Sequence, residues 1–455
     1  MTWIKNRSTN STDHILGNSL VPGAHLYSNG TWTEGSGRIT SLNSDGFTVG
    51  THDTVNQSGD EYISWNWDAG SSDTSVSIGG LNSSVYDQRQ TWSDYITSSN
   101  GWGDGPDHTF DGVVNGSGGS YNNGGGGTLT YTHPVAETVT SLRLRLYSTS
   151  DVSLGGGTAQ SIAGVAATGG WTTVDVGNGF DFTGSNTMTI TRSSGYVYID
   201  GIEINGKELV DDNQTPPNVP KIATTYRANP TAGFSIVNAS VAASLTGGPT
   251  LAHGLNKKPE FILGKNRDST IYWYAYHKDL TENHYLIPHL TNAQQNSGAV
   301  WGSHSSLDSN VFQIGADTPA SMWIPSGTND CIFYVWTSVE NYSSFGKYTG
   351  NGSSDGPFVF TGFRVAWLLI KNITTGGETW TIHDSSRDVD NPAEHRLLPN
   401  SSDAESTGTS ARYKDLLSNG FKIRGTSGEQ NTNGDVYIYA AFAEYPFSLN
   451  GGLAR

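Results

Sequence analysis

Cys331 is the only cysteine in 455 residues, so no internal disulfide can form and stability must come from packing. Its place inside an aromatic strand reads as a small buried hydrophobe rather than a reactive thiol. Charge is scarce as well, at 15% of residues, and unbalanced, with 25 basic against 42 acidic side chains and a formal net charge of −17. Such a chain repels a phosphate backbone, and its few basic residues form no stripe, which excludes nucleic acid as a partner. Long amphipathic helices are missing: no i, i+3, i+4, i+7 apolar stripe is sustained, and 57 glycines interrupt every candidate. The longest apolar run, residues 365–370, falls far short of the ~20 residues a spanning helix needs. The first residues carry no apolar signal segment, so a soluble chain without a secretion signal or membrane insertion is expected. No His-Glu-x-x-His pair or phosphate loop occurs, the Gly-x-Ser-x-Gly string at 352–356 stands in a turn sequence and not in a strand-to-helix elbow, and no enzymatic activity is expected.

One phrase occurs three times, a strand-like apolar stretch running into Lys-Asn: Trp3-Ile4-Lys5-Asn6, Phe261-Ile262-Leu263-Gly264-Lys265-Asn266 and Trp367-Leu368-Leu369-Ile370-Lys371-Asn372. Landmarks follow each copy in order. A histidine comes first (His14, His277, His383), then Leu with nearby Asn (Leu26 and Asn29, Leu286 and Asn292, Leu397 and Asn400), then Phe47, Phe312 or Phe421. An alternating aromatic run closes each copy, at 60–67, 330–336 and 435–442. A repeat that returns with its landmarks in order marks an array of similar modules. Length agrees, since domains of roughly 100 to 150 residues would number three or four here.

Between the first and second copies lies a glycine-rich insertion. Its alternation predicts strands at 128–132, 141–147, 171–176, 187–191 and 196–204. In Leu142-Arg143-Leu144-Arg145-Leu146 one face is core and the other meets water or a ligand. Three prolines at 216, 217 and 220 mark a stiff linker. The expected organisation is an incomplete first module over 1–75, the insertion over 76–212, a linker over 213–232, and two further modules over 233–343 and 344–455. An opening strand precedes the second and third phrases, but only Met1-Thr2 precedes the first. Its sheet edge is therefore expected to be closed by another chain or another part of this one.

Histidines spaced one per copy form no ligand cluster and read as structural. Acids in turns such as Ser44-Asp45-Gly46 read as caps of nearby backbone N–H groups. The Lys-Asn pair reads as the point where a strand leaves the core. Aromatic residues are the stronger functional lead, because rings stack on the C–H faces of sugars while amides and hydroxyls bond the sugar oxygens. Trp102, Tyr121, Trp171 and Trp301, with Arg143 and Arg145, are the candidate glycan-binding residues, and Trp32 is a further ring in a loop.

Residues 3–70, 233–360 and 362–447 resemble repeat-containing tail fibre and virion structural proteins of tailed phages, especially those of marine bacteria. The resemblance rests on Asn266-Arg267-Asp268, on Tyr348-Thr349-Gly350-Asn351-Gly352-Ser353 with Asp355-Gly356-Pro357-Phe358, on Leu417-Ser418-Asn419-Gly420-Phe421 and on Tyr439-Ala440-Ala441-Phe442. In the insertion, Thr109-Phe110-Asp111-Gly112 and Tyr198-Ile199-Asp200-Gly201-Ile202-Glu203-Ile204-Asn205-Gly206 resemble a galactose-binding, carbohydrate-binding-module-like jelly roll. These resemblances imply an all-β chain of three β-sandwich-like modules with an inserted jelly roll. They also imply a virion location after assembly in the host cytoplasm, other virion proteins as partners, a homo-oligomer with a trimer favoured, and adhesion to a host-surface glycan. A polysaccharide depolymerase or a purely architectural component are the alternatives. No cofactor is expected beyond a structural Ca²⁺, for which Asp104, Asp107 and Asp111 offer oxygens.

Overall fold

The computed structural model describes residues 1–444 apart from positions 44, 79, 81–85, 100, 102, 114–119, 123–127, 149–151, 156–159, 163–170, 177–186, 192–196, 213, 215–218, 246–247 and 316–321. It is all-β, as the short alternating runs predict. Two compact units are present: Gly79–Val219 forms one, and Met1–Ile78 with Pro220–Arg455 forms the other. Among the described residues no helix is long and apolar enough to cross a membrane.

The larger unit holds the three copies. In each, the Lys-Asn strand (Thr2–Asn6, Phe261–Asn266, Val365–Asn372) lies between the strand that follows it (Ile15–Gly17, Tyr274–His277, Thr381–Asp384) and the aromatic strand that closes the copy (Tyr62–Asn66, Thr328–Trp336, Val436–Ala443). All these pairings are antiparallel, and the register is shared. Lys5 opposes Ile63, Lys265 opposes Ile332 and Lys371 opposes Ile438. Pairing alone thus makes Trp65, Tyr334 and Ala440 equivalent, and likewise Trp67, Trp336 and Phe442.

Each strand feeds two cores. Residues on one face, among them Trp3, Leu263 and Leu369 with the Trp65 and Trp67 sets, join a single cluster drawn from all three copies. Residues on the other face, such as Ile4, Ile262 and Ile370, pack into a separate cluster beneath a small outer sheet of the same copy. Such strands read as unbroken apolar runs because both faces are buried. Gly264 stands where the other copies have Ile4 and Ile370, and a Cβ there would come within 2.5 Å of the Trp323 ring. The missing side chain is what admits Trp323 to the second copy's outer cluster.

The copies interlock head to tail. Glu405 N donates to Arg7 O (2.9 Å), Glu34 N to Arg267 O (2.8 Å) and Gln294 N to Ile373 O (3.2 Å). The third copy thus caps the first, the first caps the second and the second caps the third. Two of the three junctions add an ion pair, Arg7 with Glu405 and Arg267 with Glu34. Head-to-tail contacts that return to their start form a closed ring. Here the ring is made within one polypeptide.

The smaller unit is a sandwich of a five-stranded and a six-stranded sheet around Trp92, Phe110, Tyr131 and the leucines of Leu142–Ser148. Strands predicted at 128–132 and 187–191 occur at those bounds, and the others lie within a residue or two. The segment expected to be linker differs. Thr224–Asn229 within it is a strand, paired with Phe234–Ala242 and with Thr74–Val76, because alternating Thr225, Tyr226 and Arg227 suit a strand better than a spacer.

Candidate functional site

The repeated Lys-Asn pair does not leave the core for water, as the sequence suggested. Lys5, Lys265 and Lys371 are fully buried, and burial lowers each ammonium to about 8. Backbone carbonyls hold the charge. Lys5 Nζ donates to Thr12 O (2.7 Å) and Ser402 O (3.3 Å), Lys265 Nζ to Asn266 O (2.7 Å) and Ser269 O (2.8 Å), and Lys371 Nζ to Asn372 O (2.7 Å), Glu378 O (3.0 Å) and Thr291 O (3.4 Å). Ser402 and Thr291 belong to neighbouring copies, so two of these lysines also tie the ring. The adjoining Asn6, Asn266 and Asn372 accept from backbone N–H groups two and three residues on, closing the turn that follows. The motif is a buried staple.

Histidines His14, His277 and His383 are buried, as a structural reading requires, but they are not equivalent. Register places His277 opposite Phe261 and His383 opposite Leu368, whereas His14 lies beyond Ile15, toward Lys5. Position, not residue type, carries the shared task. Asn18, His277 and Asp384 occupy one equivalent site, and each reaches the aromatic strand of the next copy. Asn18 Nδ2 donates to the Tyr334 hydroxyl (3.3 Å), His277 Nε2 donates to Tyr439 O (3.2 Å), and Asp384 Oδ2 accepts from Trp65 Nε1 (3.1 Å). Burial drives His277 down to about 3, so the imidazole is neutral at physiological pH.

Three of the proposed glycan-binding residues converge in the smaller unit. Arg145 lies opposite Trp171 across the sheet, with its guanidinium carbon 4.3 Å from the indole centroid and that of Arg143 at 5.3 Å. Arg143 pairs with Glu203, and Arg145 with Glu208 at 3.1 Å. Burial raises the Glu208 carboxyl to about 7 against the pull of Arg145. The two arginines cover much of the ring and leave Arg143 as the open group, 40% exposed.

The other candidates fare differently. Trp301 is a core residue, 1% exposed, because it ends the helical turn Gly298–Trp301 and packs 5.1 Å from Trp323. Trp32 is displayed, 48% exposed, with its edge against Tyr27. Trp102 and the side chain of Tyr121 lie outside the described residues. Asp104, Asp107 and Asp111 are the acids that the sequence offers to a structural Ca²⁺. Among the described residues no group of three His, Cys, Asp or Glu side chains converges, and Asp111 accepts from Val113 N (2.7 Å) and faces His108.

A cleft of about 460 Å³ that the sequence did not announce opens in the third copy. Its walls are Ser354, Asn391, Pro392, Ser410, Tyr413, Asp415 and Arg424. The hairpin of Lys414–Leu417 and Gly420–Ile423 sets the charged side, sending Leu416 and Phe421 inward while Asp415 turns out. Arg424 Nη1 lies 2.5 Å from Asp415 Oδ2, and the arginine side chain remains 49% exposed. Asn391 bonds both backbone groups of Leu416 (2.8 and 3.0 Å), which fixes the opposite wall. A phenol ring, a guanidinium, a carboxylate and two hydroxyls around a space of this size suit a small polar ligand with apolar C–H faces. Residues from three separated segments build it, so no local pattern could reveal it.

A family described as a domain of unknown function (DUF7483) matches residues 1–105 and 211–446. The chain belongs to the DUF7483 family. No curated protein and no solved structure matches it. The matched part of the DUF7483 chain takes in all three copies and the cleft, while the skipped residues 106–210 hold Arg143, Arg145 and Trp171.

Proposed function

We propose that the chain is a structural protein of a phage particle, a tail fibre, spike or decoration subunit, that adheres to a host-surface glycan. The cleft lined by Tyr413, Asp415 and Arg424 carries this reading, because its volume and mix of groups fit a sugar ring and it sits on a rigid, doubly packed scaffold. The phage setting comes from the resemblance of the repeated segments to tail fibre and virion proteins. Other virion proteins and further copies of the chain, as a trimer, are the partners this reading calls for. Binding is favoured over hydrolysis because Asp415, the one carboxylate among the lining residues, is engaged by Arg424, whereas glycosidic cleavage commonly uses two carboxylates. Weak single contacts would gain strength from many copies on a particle.

A glycan array with the purified chain, followed by titration of any hit, tests this. Tyr413→Ala and Arg424→Ala should each weaken binding about tenfold or more, with Trp171→Ala reporting on the smaller unit. Release of reducing sugar from a polysaccharide would replace adhesion with depolymerisation. Absence of binding to the array and to whole cells would leave an architectural role.

A further inference from the structure

The cleft at Tyr413 opens onto a wider face. One wall of it belongs to a three-stranded sheet of Phe358–Phe360, Gly420–Ile423 and Lys414–Leu417, in that order. Val359, Phe421, Ile423 and Leu416 pack into the third copy's outer cluster, so the residues between them point out. Register lines those residues up in rows. Phe358, Lys422 and Asp415 form one row and Phe360, Gly420 and Leu417 the next, while the bond from Arg424 N to Tyr413 O (2.9 Å) sets a third row on the cleft side. Cleft and rings therefore share one continuous surface, and Tyr413 and Phe360, two strands and two rows apart, are separated by roughly 15 Å.

Phe358 and Phe360 are 46% and 66% exposed. Gly420 brings no side chain to the face, and a Cβ there would press to 3.2 Å from the Phe358 ring, so that ring lies low against the sheet. The siblings differ at this point. In the second copy Thr250–Ala252 pairs with Val311–Gln313 as Phe358–Phe360 pairs with its neighbour, which puts Thr250 and Ala252, both buried, where the third copy has its rings. In the first copy the outer hairpin turns Thr40 and Thr48 to solvent. Among the described residues, an outer sheet displays a pair of rings in the third copy alone, the copy that carries this cleft.

Charge on the face is matched in place. Lys422 Nζ lies 2.7 Å from Asp355 Oδ1 and donates to Gly356 O (3.0 Å), and Arg424 is held by Asp415. Both cations on this side of the sheet thus have a carboxylate partner, which leaves the face without an excess of positive charge for an acidic ligand. Ion pairs set beside the rings also suit a wet, shallow site better than the charge-poor centre of a protein interface.

We propose, resting on the glycan reading of the cleft, that its ligand is a neutral oligosaccharide bound lengthwise, with one sugar against Tyr413 and Arg424 and later sugars stacked on Phe358 and Phe360. A single sugar cannot touch both ends of the face, so the rings select for chain length.

Calorimetric titration of the full chain with cello-, laminari- and manno-oligosaccharides, from monosaccharide to hexasaccharide, tests this, with oligogalacturonate as the acidic counterpart. Affinity for one neutral ladder should rise about tenfold from monosaccharide to tetrasaccharide, and oligogalacturonate should show no such gain. Phe358→Ala with Phe360→Ala removes exposed rings and leaves the inward Val359 in place. The double variant should abolish the gain while keeping the monosaccharide affinity within about twofold, whereas Tyr413→Ala should weaken every member of the ladder. A gain that survives the double variant, an affinity independent of length, or tighter binding of oligogalacturonate would overturn the proposal and leave the cleft as a glycan site. No binding of any ladder would overturn both. A parent chain that light scattering shows as an oligomer and the double variant as a monomer would overturn it too, giving the rings to contact between copies.

Discussion

Trp67→Ala should cost the larger unit about 3 to 5 kcal/mol and lower its melting temperature by roughly 6 to 10 °C. The expectation rests on where the indole sits. Trp67 is 6% exposed, and its ring meets Trp336 of the second copy at 6.0 Å and Trp367 and Phe442 of the third at 5.4 and 5.6 Å, all edge to face. Deleting it opens a void among all three copies rather than inside one. Calorimetry should therefore show one transition for the larger unit moving as a whole, with any separate transition of Gly79–Val219 unmoved. Trp32→Ala, which removes a displayed ring of the first copy, should change stability little. Loss of protection confined to residues 1–70 after Trp67→Ala would mean that the copies unfold independently and that the shared core is energetically unimportant.

That core was only half legible in the sequence. Alternation located the strands well, since period-two patterns and turn residues are local, and the leucine face of Leu142–Ser148 was read correctly as core. A run such as Val365-Ala366-Trp367-Leu368-Leu369-Ile370 shows no alternation, however, because Trp367 and Leu369 serve the common cluster while Leu368 and Ile370 serve their own copy. Nothing local separates the two destinations. Aligning the copies by residue type also misled. Asn18, His277 and Asp384 share a position and a task, yet only the pairing register shows it, because an amide, an imidazole and a carboxylate each meet a different partner. Trp301 reads in the sequence as a candidate glycan-binding ring, and the short helix that buries it is decided by Trp323 and Phe333 from distant segments. The cleft at Tyr413 depends in the same way on segments far apart in the chain.

Raising the pH from about 7.5 to 9.5 should stabilise the larger unit, the reverse of what titrating surface lysines would do. Burial holds Lys5, Lys265 and Lys371 at about 8 in the fold, against 10.5 for a free lysine. Below about 8 both folded and unfolded chains carry these protons, and the cost of burying the charge is constant. Between about 8 and 10.5 the unfolded chain holds more protons than the folded one, so stability climbs with pH. A difference of that size is on the order of 3 kcal/mol per lysine over the full window. Above about 10 the trend should turn, because burial raises Tyr334, Tyr348 and Tyr437 and the unfolded chain loses those protons first. Lys371→Met separates the two roles of the amine. It relieves the desolvation cost but strands the carbonyls of Asn372 and Glu378, at about 1 to 3 kcal/mol each. The variant should therefore lose about 2 kcal/mol at pH 7 and more at pH 9.5, with a pH slope about one quarter shallower, because the buried Lys414, held at about 7, climbs over the same window as the other three. Urea titrations at pH 7, 8.5 and 9.5 read both quantities. A Met variant as stable as the parent at pH 7 would show that the carbonyl cradle contributes nothing, and a parent curve flat from 7.5 to 9.5 would show that the three ammonium groups are not desolvated.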